Sequence, residues 1–166
     1  GSLVWSERYK IPVQNKLDVQ RILSDYIGAY GQNHHRFRWE RTLTAKGIVD
    51  YLSAKGILIK TPTDVKVLAR GPSGRVISLE VIDEIKGRSV VLRRDQIRQT
   101  FINLPSTLFV INSSDDGRWI FSGGGFGHGV GLSQAGAIDL ANRGWTVKRI
   151  LRHYYPGAIY ESLRDF

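Results

Sequence analysis

From Phe121 to Gly136 the chain reads Phe-Ser-Gly-Gly-Gly-Phe-Gly-His-Gly-Val-Gly-Leu-Ser-Gln-Ala-Gly, seven glycines in sixteen positions. No strand or helix interior carries that density, because each glycine gives up extra backbone entropy on ordering and contributes no packing. The stretch must be a loop in which the backbone takes positive φ or approaches another group closely. A ligand-binding loop is the expectation. A short companion, His153-Tyr154-Tyr155-Pro156-Gly157, follows downstream.

The flanks of this loop are legible as regular structure. Phe109 to Asn112 and Trp119 to Ser122 read as a hairpin across Asp115-Asp116-Gly117, delivering the chain into the loop. Ser133 is placed to cap a helix over Gln134 to Arg143, closed by Gly144. Thr146 caps another helix with an apolar stripe of Val147, Ile150, Leu151 and Tyr154, stopped by Pro156-Gly157, and His153 falls off that stripe. Upstream, Val19, Ile22, Leu23, Tyr26, Ile27 and Tyr30 follow helical spacing between Leu17 and Tyr30, with Gly31 as terminator. Phe37 to Leu43 alternates as a strand with a basic face, and Thr44 caps a helix carrying Ile48, Tyr51 and Leu52 that stops at Gly56. Asp64 to Leu92 reads as a β meander turning at Gly71-Pro72-Ser73-Gly74 and Lys86-Gly87, and Arg94 to Phe101 as a short helix. Helices beside a local meander argue an α+β single domain: a meander and a hairpin packed with several short helices, the glycine-rich loop leading into one of them.

At 166 residues the chain is long enough for one domain with a real core. It lacks methionine, even at position 1, and reads as a segment of something longer. There is no run of about 18 apolar residues to span a membrane, and anchoring of a longer parent is left open. The absence of cysteine excludes disulfides and thiolate metal sites but does not fix the compartment. A net charge of +9 points to an anionic partner: nucleic acid, a lipid surface or an acidic polysaccharide. The basic residues are scattered and match no DNA- or RNA-binding motif, so nucleic acid is not the expected partner.

Three chemistries bear on the loop. A phosphate cradle fails on spacing, because Gly125, Gly127, Gly129 and Gly131 alternate and fit neither the dinucleotide nor the P-loop pattern. Gly131-Leu132-Ser133-Gln134-Ala135 approximates a nucleophile elbow with Asp139 and His153 in hydrolase order, but no buried strand can precede Ser133. The histidines, His34, His35, His128 and His153, lack metal-ligand spacing, and His34 and His35 would diverge if they lay in a strand. No metal and no cofactor is expected.

The residues Gly123 to Ala137, together with Ile150-Leu151-Arg152-His153-Tyr154-Tyr155-Pro156-Gly157, closely resemble the C-terminal signature of the stage II sporulation protein D (SpoIID-like, amidase-enhancer) family. Ser73-Gly74-Arg75-Val76, Ile97-Arg98 and Leu104-Pro105-Ser106-Thr107-Leu108-Phe109 follow the family's order upstream. The resemblance covers roughly Phe37 to Tyr160. It implies a SpoIID-like domain (its C-terminal part) over 37–166, preceded by a helical segment over 1–36. Leu132 stands where the family usually has Met, and Ala158 where it often has Thr.

Proteins of this family resemble lytic transglycosylases that cut peptidoglycan glycan strands stripped of stem peptides. The resemblance therefore implies a place in the bacterial envelope, outside the cytoplasm, with glycan strands and a cell-wall amidase as partners. The family's catalytic Glu lies in an Ala-, Gln- and Arg-rich N-terminal segment that nothing here matches, so whether this chain is an enzyme stays open. Such a reaction needs a carboxyl group that first protonates the glycosidic oxygen and then assists attack by the sugar's own hydroxyl, with neighbours that orient it. On the resemblance those neighbours are His128, Ser133 and Gln134. Gly125, Phe126, Gly127, His128, Gly129, Ser133, Gln134, Arg98, His153 and Tyr155 are then the glycan-binding candidates. Glu40, beside Trp39, is the local candidate for an acid, although a strand Glu between arginines ordinarily pairs with them. Trp39, Trp119, Trp145, Tyr154 and Tyr155 offer rings for stacking on sugars, Tyr154 reading as core. A non-catalytic module that binds or activates an amidase is the rival reading, and a purely structural loop is the plainer one.

Overall fold

The computed structural model describes residues 13–24, 28–85, 87–102 and 104–161. In chain order the described elements are α1 (Lys16–Ser24), β1 (Arg38–Leu43), α2 (Ala45–Ser53), β2 (Pro62–Arg70), β3 (Val76–Asp83), β4 (Ser89–Arg93), α3 (Asp95–Thr100), β5 (Phe109–Ser113), β6 (Trp119–Gly124), α4 (Gln134–Asn142) and α5 (Val147–Tyr154). Two three-stranded antiparallel sheets result, ordered β1-β6-β5 and β2-β3-β4. The α+β expectation holds.

The two sheets share one core. Leu79 and Val81 of β3 and Leu92 of β4 are fully buried with Phe109 of β5 and Phe121 of β6, and Ile48 and Leu52 of α2 complete the cluster. Phe121 packs against Phe109 at 5.2 Å and Phe101 at 6.4 Å between ring centroids. In a second cluster, Val19 and Leu23 of α1 pack with Leu108 and Val110. Arg38 fixes that helix by donating from Nε to the Leu23 carbonyl (2.8 Å) and from Nη2 to that of Ile22 (2.7 Å).

Thr44, Ser133 and Thr146 each accept the backbone N–H three residues on, at Gly47, Gly136 and Arg149, as their N-cap positions predict. Two expectations need correction. The first helix, described over Lys16–Ser24, does not reach Tyr30, which lies in a turn; Tyr26 and Ile27 fall outside the described residues. The α5 stripe is only partly covered, since Ile150 is buried but Val147 is 65% exposed. The pairing of β1 with β6 is a long-range match that local patterning does not reveal.

Gly123 occupies the centre of the first sheet, opposite Trp39 of β1 and Phe109 of β5. A Cβ there would stand 2.2 Å from Trp39 Cζ2, so the indole lies over a bare backbone. Gly123→Ala should lower stability by about 1–3 kcal/mol, the usual range for overpacking, read as a shifted urea midpoint. An unchanged midpoint would mean that Trp39 is free to move.

Asp83, at the end of β3, is buried and accepts N–H groups of Thr61 (2.8 Å), Glu84 (3.0 Å) and Lys60 (3.3 Å). Burial pushes its carboxyl up, but these donors and the Arg88 charge outweigh that and hold it below the ordinary range. A depressed folded pKa gives stability that is present above the unfolded value, about 3.9, and is lost as pH falls through the folded one. Asp83→Asn should therefore be less stable at neutral pH and show a flatter acid limb in denaturation. An acid limb identical to that of the parent chain would refute the assignment.

Candidate functional site

The glycine-rich loop leaves β6 through a set of main-chain anchors. Gly124 N–H donates to Leu108 O (2.9 Å), Gly125 N–H to Phe37 O (3.0 Å) and Gly127 N–H to Pro105 O (2.9 Å). Trp39 Nε1 donates to Gly125 O (3.0 Å). Fully buried Ser106 donates from Oγ to Gly124 O (2.7 Å) and accepts Leu108 N–H (3.2 Å). The stretch Leu104-Pro105-Ser106-Thr107 thus serves as a floor for the loop. Positive φ recurs at Gly125, Gly127, Gly129 and Gly131, from 73° to 88°, which explains the alternation of glycine along the sequence.

The residues between those glycines are exposed. Phe126 is 59% exposed with the Arg36 guanidinium 4.5 Å from its ring centroid, leaving ring surface free. His128 accepts the Val130 N–H at Nδ1 (3.0 Å). In the neutral ring that bond places the proton on Nε2, making it a donor.

The far end of the loop is stapled by two tyrosines from the end of α5. The Tyr155 hydroxyl accepts Leu132 N–H (3.1 Å). The Tyr154 hydroxyl sits 2.1 Å from where a Cβ on Gly136 would be and hydrogen-bonds Ser133, while burial pushes its pKa up. Ser133 Oγ accepts Gly136 N–H (3.2 Å), and Gln134 follows as the exposed first residue of α4. Tyr155 is thus a loop anchor with its ring partly exposed.

Arg75, preceding β3, lies against the loop. Nη1 donates to Gly127 O (3.3 Å), and the guanidinium carbon is 2.2 Å from where a Cβ on Gly129 would be. Burial, and after it the Arg98 charge, lowers its pKa to about 10. Arg98 of α3 pairs with Asp95 (3.3 Å).

The other candidates are dispersed. Glu40 is exposed on β1, opposite Ser122, whose hydroxyl donates to it at 3.2 Å. His153 packs edge-on against Tyr30 (5.5 Å), Trp145 (5.8 Å) and Tyr154 (4.8 Å), and burial lowers its pKa. Asp139 accepts Gly31 N–H (2.9 Å) and pairs with Arg143 (2.9 Å), tying the turn at Gly31 to α4. Ser133, Asp139 and His153 thus hold separate structural partners, and loop rather than strand precedes Ser133. His34 and His35 do not diverge: they lie in a turn with rings stacked at 4.4 Å. Among the described residues no three His, Asp or Glu side chains gather as a metal site.

Sequence reasoning quoted Arg75 only as part of a short motif and missed its place under the loop. No local pattern signals it, because the contact joins residues 52 positions apart. Gly136 and Tyr154 should behave as a coupled pair. Gly136→Ala should destabilise despite the better helix propensity of Ala, and Tyr154→Phe should cost less in that background than alone, a coupling of about 1 kcal/mol by double-mutant cycle. Additive effects would mean that the hydroxyl does not occupy the space above Gly136.

Comparisons with known proteins can be set against this geometry. The chain is 41% identical over 54 residues to an amidase enhancer of Bacillus subtilis (strain 168), covering 32% of this chain and 8% of that protein. It is 47% identical over 60 residues to a stage II sporulation protein D of Bacillus amyloliquefaciens (32% of this chain, 17% of that protein) and 58% identical over 33 residues to that of Bacillus subtilis (20% and 10%). The matches thus span between 8% and 17% of the length of these relatives. Residues 2–131 match the family described as Domain of unknown function (DUF8618), and the chain belongs to that family.

Proposed function

We propose that this chain is the C-terminal portion of a SpoIID-like domain that binds peptidoglycan glycan strands outside the bacterial cytoplasm. The similarity to stage II sporulation proteins and to an amidase enhancer supports a role at the cell wall. The observation that carries the reading is a loop whose backbone is anchored on both sides while Phe126 and His128 project their rings into solvent. Such a loop is preorganised, so little ordering entropy is lost on binding.

In this reading the free surface of Phe126 stacks on the apolar face of a sugar. His128 donates from Nε2 to a hydroxyl or acetamido oxygen. Gln134 lies exposed at the start of α4, within the same candidate surface, and Ser133 holds that helix start through Gly136. In a longer parent carrying the family's Glu, this half holds the strand while that carboxyl protonates the glycosidic oxygen, as lytic transglycosylase chemistry requires. Glu40 is the weaker seat for the acid: it is exposed, and its described hydrogen bond comes from Ser122. The second reading, a module that binds or activates a wall amidase, is favoured by the name of one relative.

Purified glycan strands lacking stem peptides, incubated with this chain, should retain it without release of anhydro-sugar products. His128→Ala should bind about tenfold more weakly, the loss of one or two hydrogen bonds. Failure of the chain to bind such strands would sink the glycan reading and favour the amidase partner. Anhydro products by mass spectrometry would place the acid within these residues, with Glu40→Gln as the next variant.

A further inference from the structure

No Asp or Glu lies between Asp139 and Glu161, a stretch that carries Arg143, Lys148, Arg149 and Arg152. Arg143 pairs with Asp139, while the other three cations make no ion pair with a carboxylate among the described residues. Helix geometry sorts the residues of α5 into strips of side chains one turn apart. Ile150 and Tyr154 turn toward the body of the domain, Ile150 buried and Tyr154 half-buried against Gly136. Arg149 and His153 lie against Trp145, the guanidinium at 3.8 Å and the imidazole at 5.8 Å. The outer strips are Val147 with half-buried Leu151 and, beside them, exposed Lys148 with Arg152. Apolar exposure continues past the helix: Tyr155 and Tyr160 are exposed, and Ile159 is 85% exposed. The Tyr155 hydroxyl holds Leu132 N–H, and Val130, two residues before Leu132, is 77% exposed. Singly exposed apolar residues are ordinary, but several along one segment that also carries unpaired cations mark an interaction surface.

We propose that α5 and the chain that follows it, as far as Tyr160, form a docking surface for an anionic lipid bilayer. Anionic headgroups supply the negative charge that Lys148, Arg149 and Arg152 lack within the chain. A protein interface buries a dry apolar core inside a polar rim. Here apolar and cationic side chains instead alternate along the same surface, which suits a bilayer: phosphates lie level with the tips of Lys, Arg and Tyr, and acyl chains begin just beneath. Val147, Leu151 and Ile159 enter the acyl boundary, Lys148 and Arg152 reach phosphates, and Tyr155 and Tyr160 sit at headgroup level. Because Tyr155 also anchors the glycine-rich loop, a docked α5 sets that loop beside the membrane. The inference stands apart from the glycan reading.

The test is cosedimentation of the full chain with phosphatidylcholine vesicles, plain or with about one-third phosphatidylglycerol, at about 0.1 M salt, where exposed charges still act over roughly 10 Å. The chain should pellet with the anionic vesicles and stay in solution with the plain ones. Lys148→Gln combined with Arg152→Gln should weaken that binding about twenty-fivefold, the product of two fivefold losses. Val147→Ser combined with Ile159→Ser should weaken it about tenfold, through lost apolar burial. All four positions are at the surface, and circular dichroism checks that each variant is folded. Lys55→Gln combined with Lys60→Gln makes an equal change of charge on the connection between α2 and β2 and should leave binding within about twofold of the parent chain. Absence of binding to the anionic vesicles would overturn the proposal. So would an equal loss in the Lys55, Lys60 variant, which would trace binding to net charge alone. Binding indifferent to the Val147, Ile159 variant would overturn the bilayer as occupant in favour of an acidic polymer or protein.

Discussion

The contact between Trp39 and Gly123 sets the terms for much of the molecule. The indole lies across a backbone with no side chain and donates its N–H to Gly125 O, so one residue fills the sheet and fixes the first turn of the loop. Without a bare Gly123, Trp39 would lift, the 6.2 Å approach of its ring to Phe109 would be lost, and the anchor at Gly125 would go with it. Packing density in the core is thus coupled directly to loop geometry, which is why a glycine-rich segment can be exposed and still well defined. The opposite end depends on a matching device, Tyr154 against Gly136.

Electrostatics follow a related logic. A net charge of +9 invites a simple picture of a basic surface, but several arginines are structural. Arg38 donates to two carbonyls of α1, Arg70 donates to Gly74 O (2.8 Å), and burial lowers the pKa of both. Arg149 lies 3.8 Å over the Trp145 ring and Arg36 lies over Phe126. Arg75 differs in kind, because its buried guanidinium lies against the loop at Gly127 and Gly129 with no carboxylate partner among the described residues. Charge count alone says nothing of this; the partners of each guanidinium do.

Much of the architecture is legible in sequence because it is local. The caps at Thr44, Ser133 and Thr146, the meander turn at Gly71 to Gly74 and the hairpin feeding the loop all rest on residues a few positions apart. The pairing of β1 with β6, the floor at Leu104 to Thr107 and the reach of Arg75 under Gly129 join distant segments, and no periodicity encodes them. Tyr30 keeps helical spacing in the sequence, yet the structure uses it in an aromatic cluster with Trp145 and His153. Of the candidate site, the glycine alternation announced the loop, whereas His153 and Tyr155, similar in sequence context, divide between an aromatic cluster and a loop anchor.

The proposed function places a glycan strand on the anchored loop. Backbone amide NMR of the isotope-labelled chain titrated with a denuded glycan tetrasaccharide tests it most directly. Saturable shifts confined to Gly125 to Gln134 are expected, with the Arg75 side-chain signal moving in step and the second sheet beyond Val76 unchanged. Shifts centred elsewhere, or none at millimolar saccharide, would contradict it.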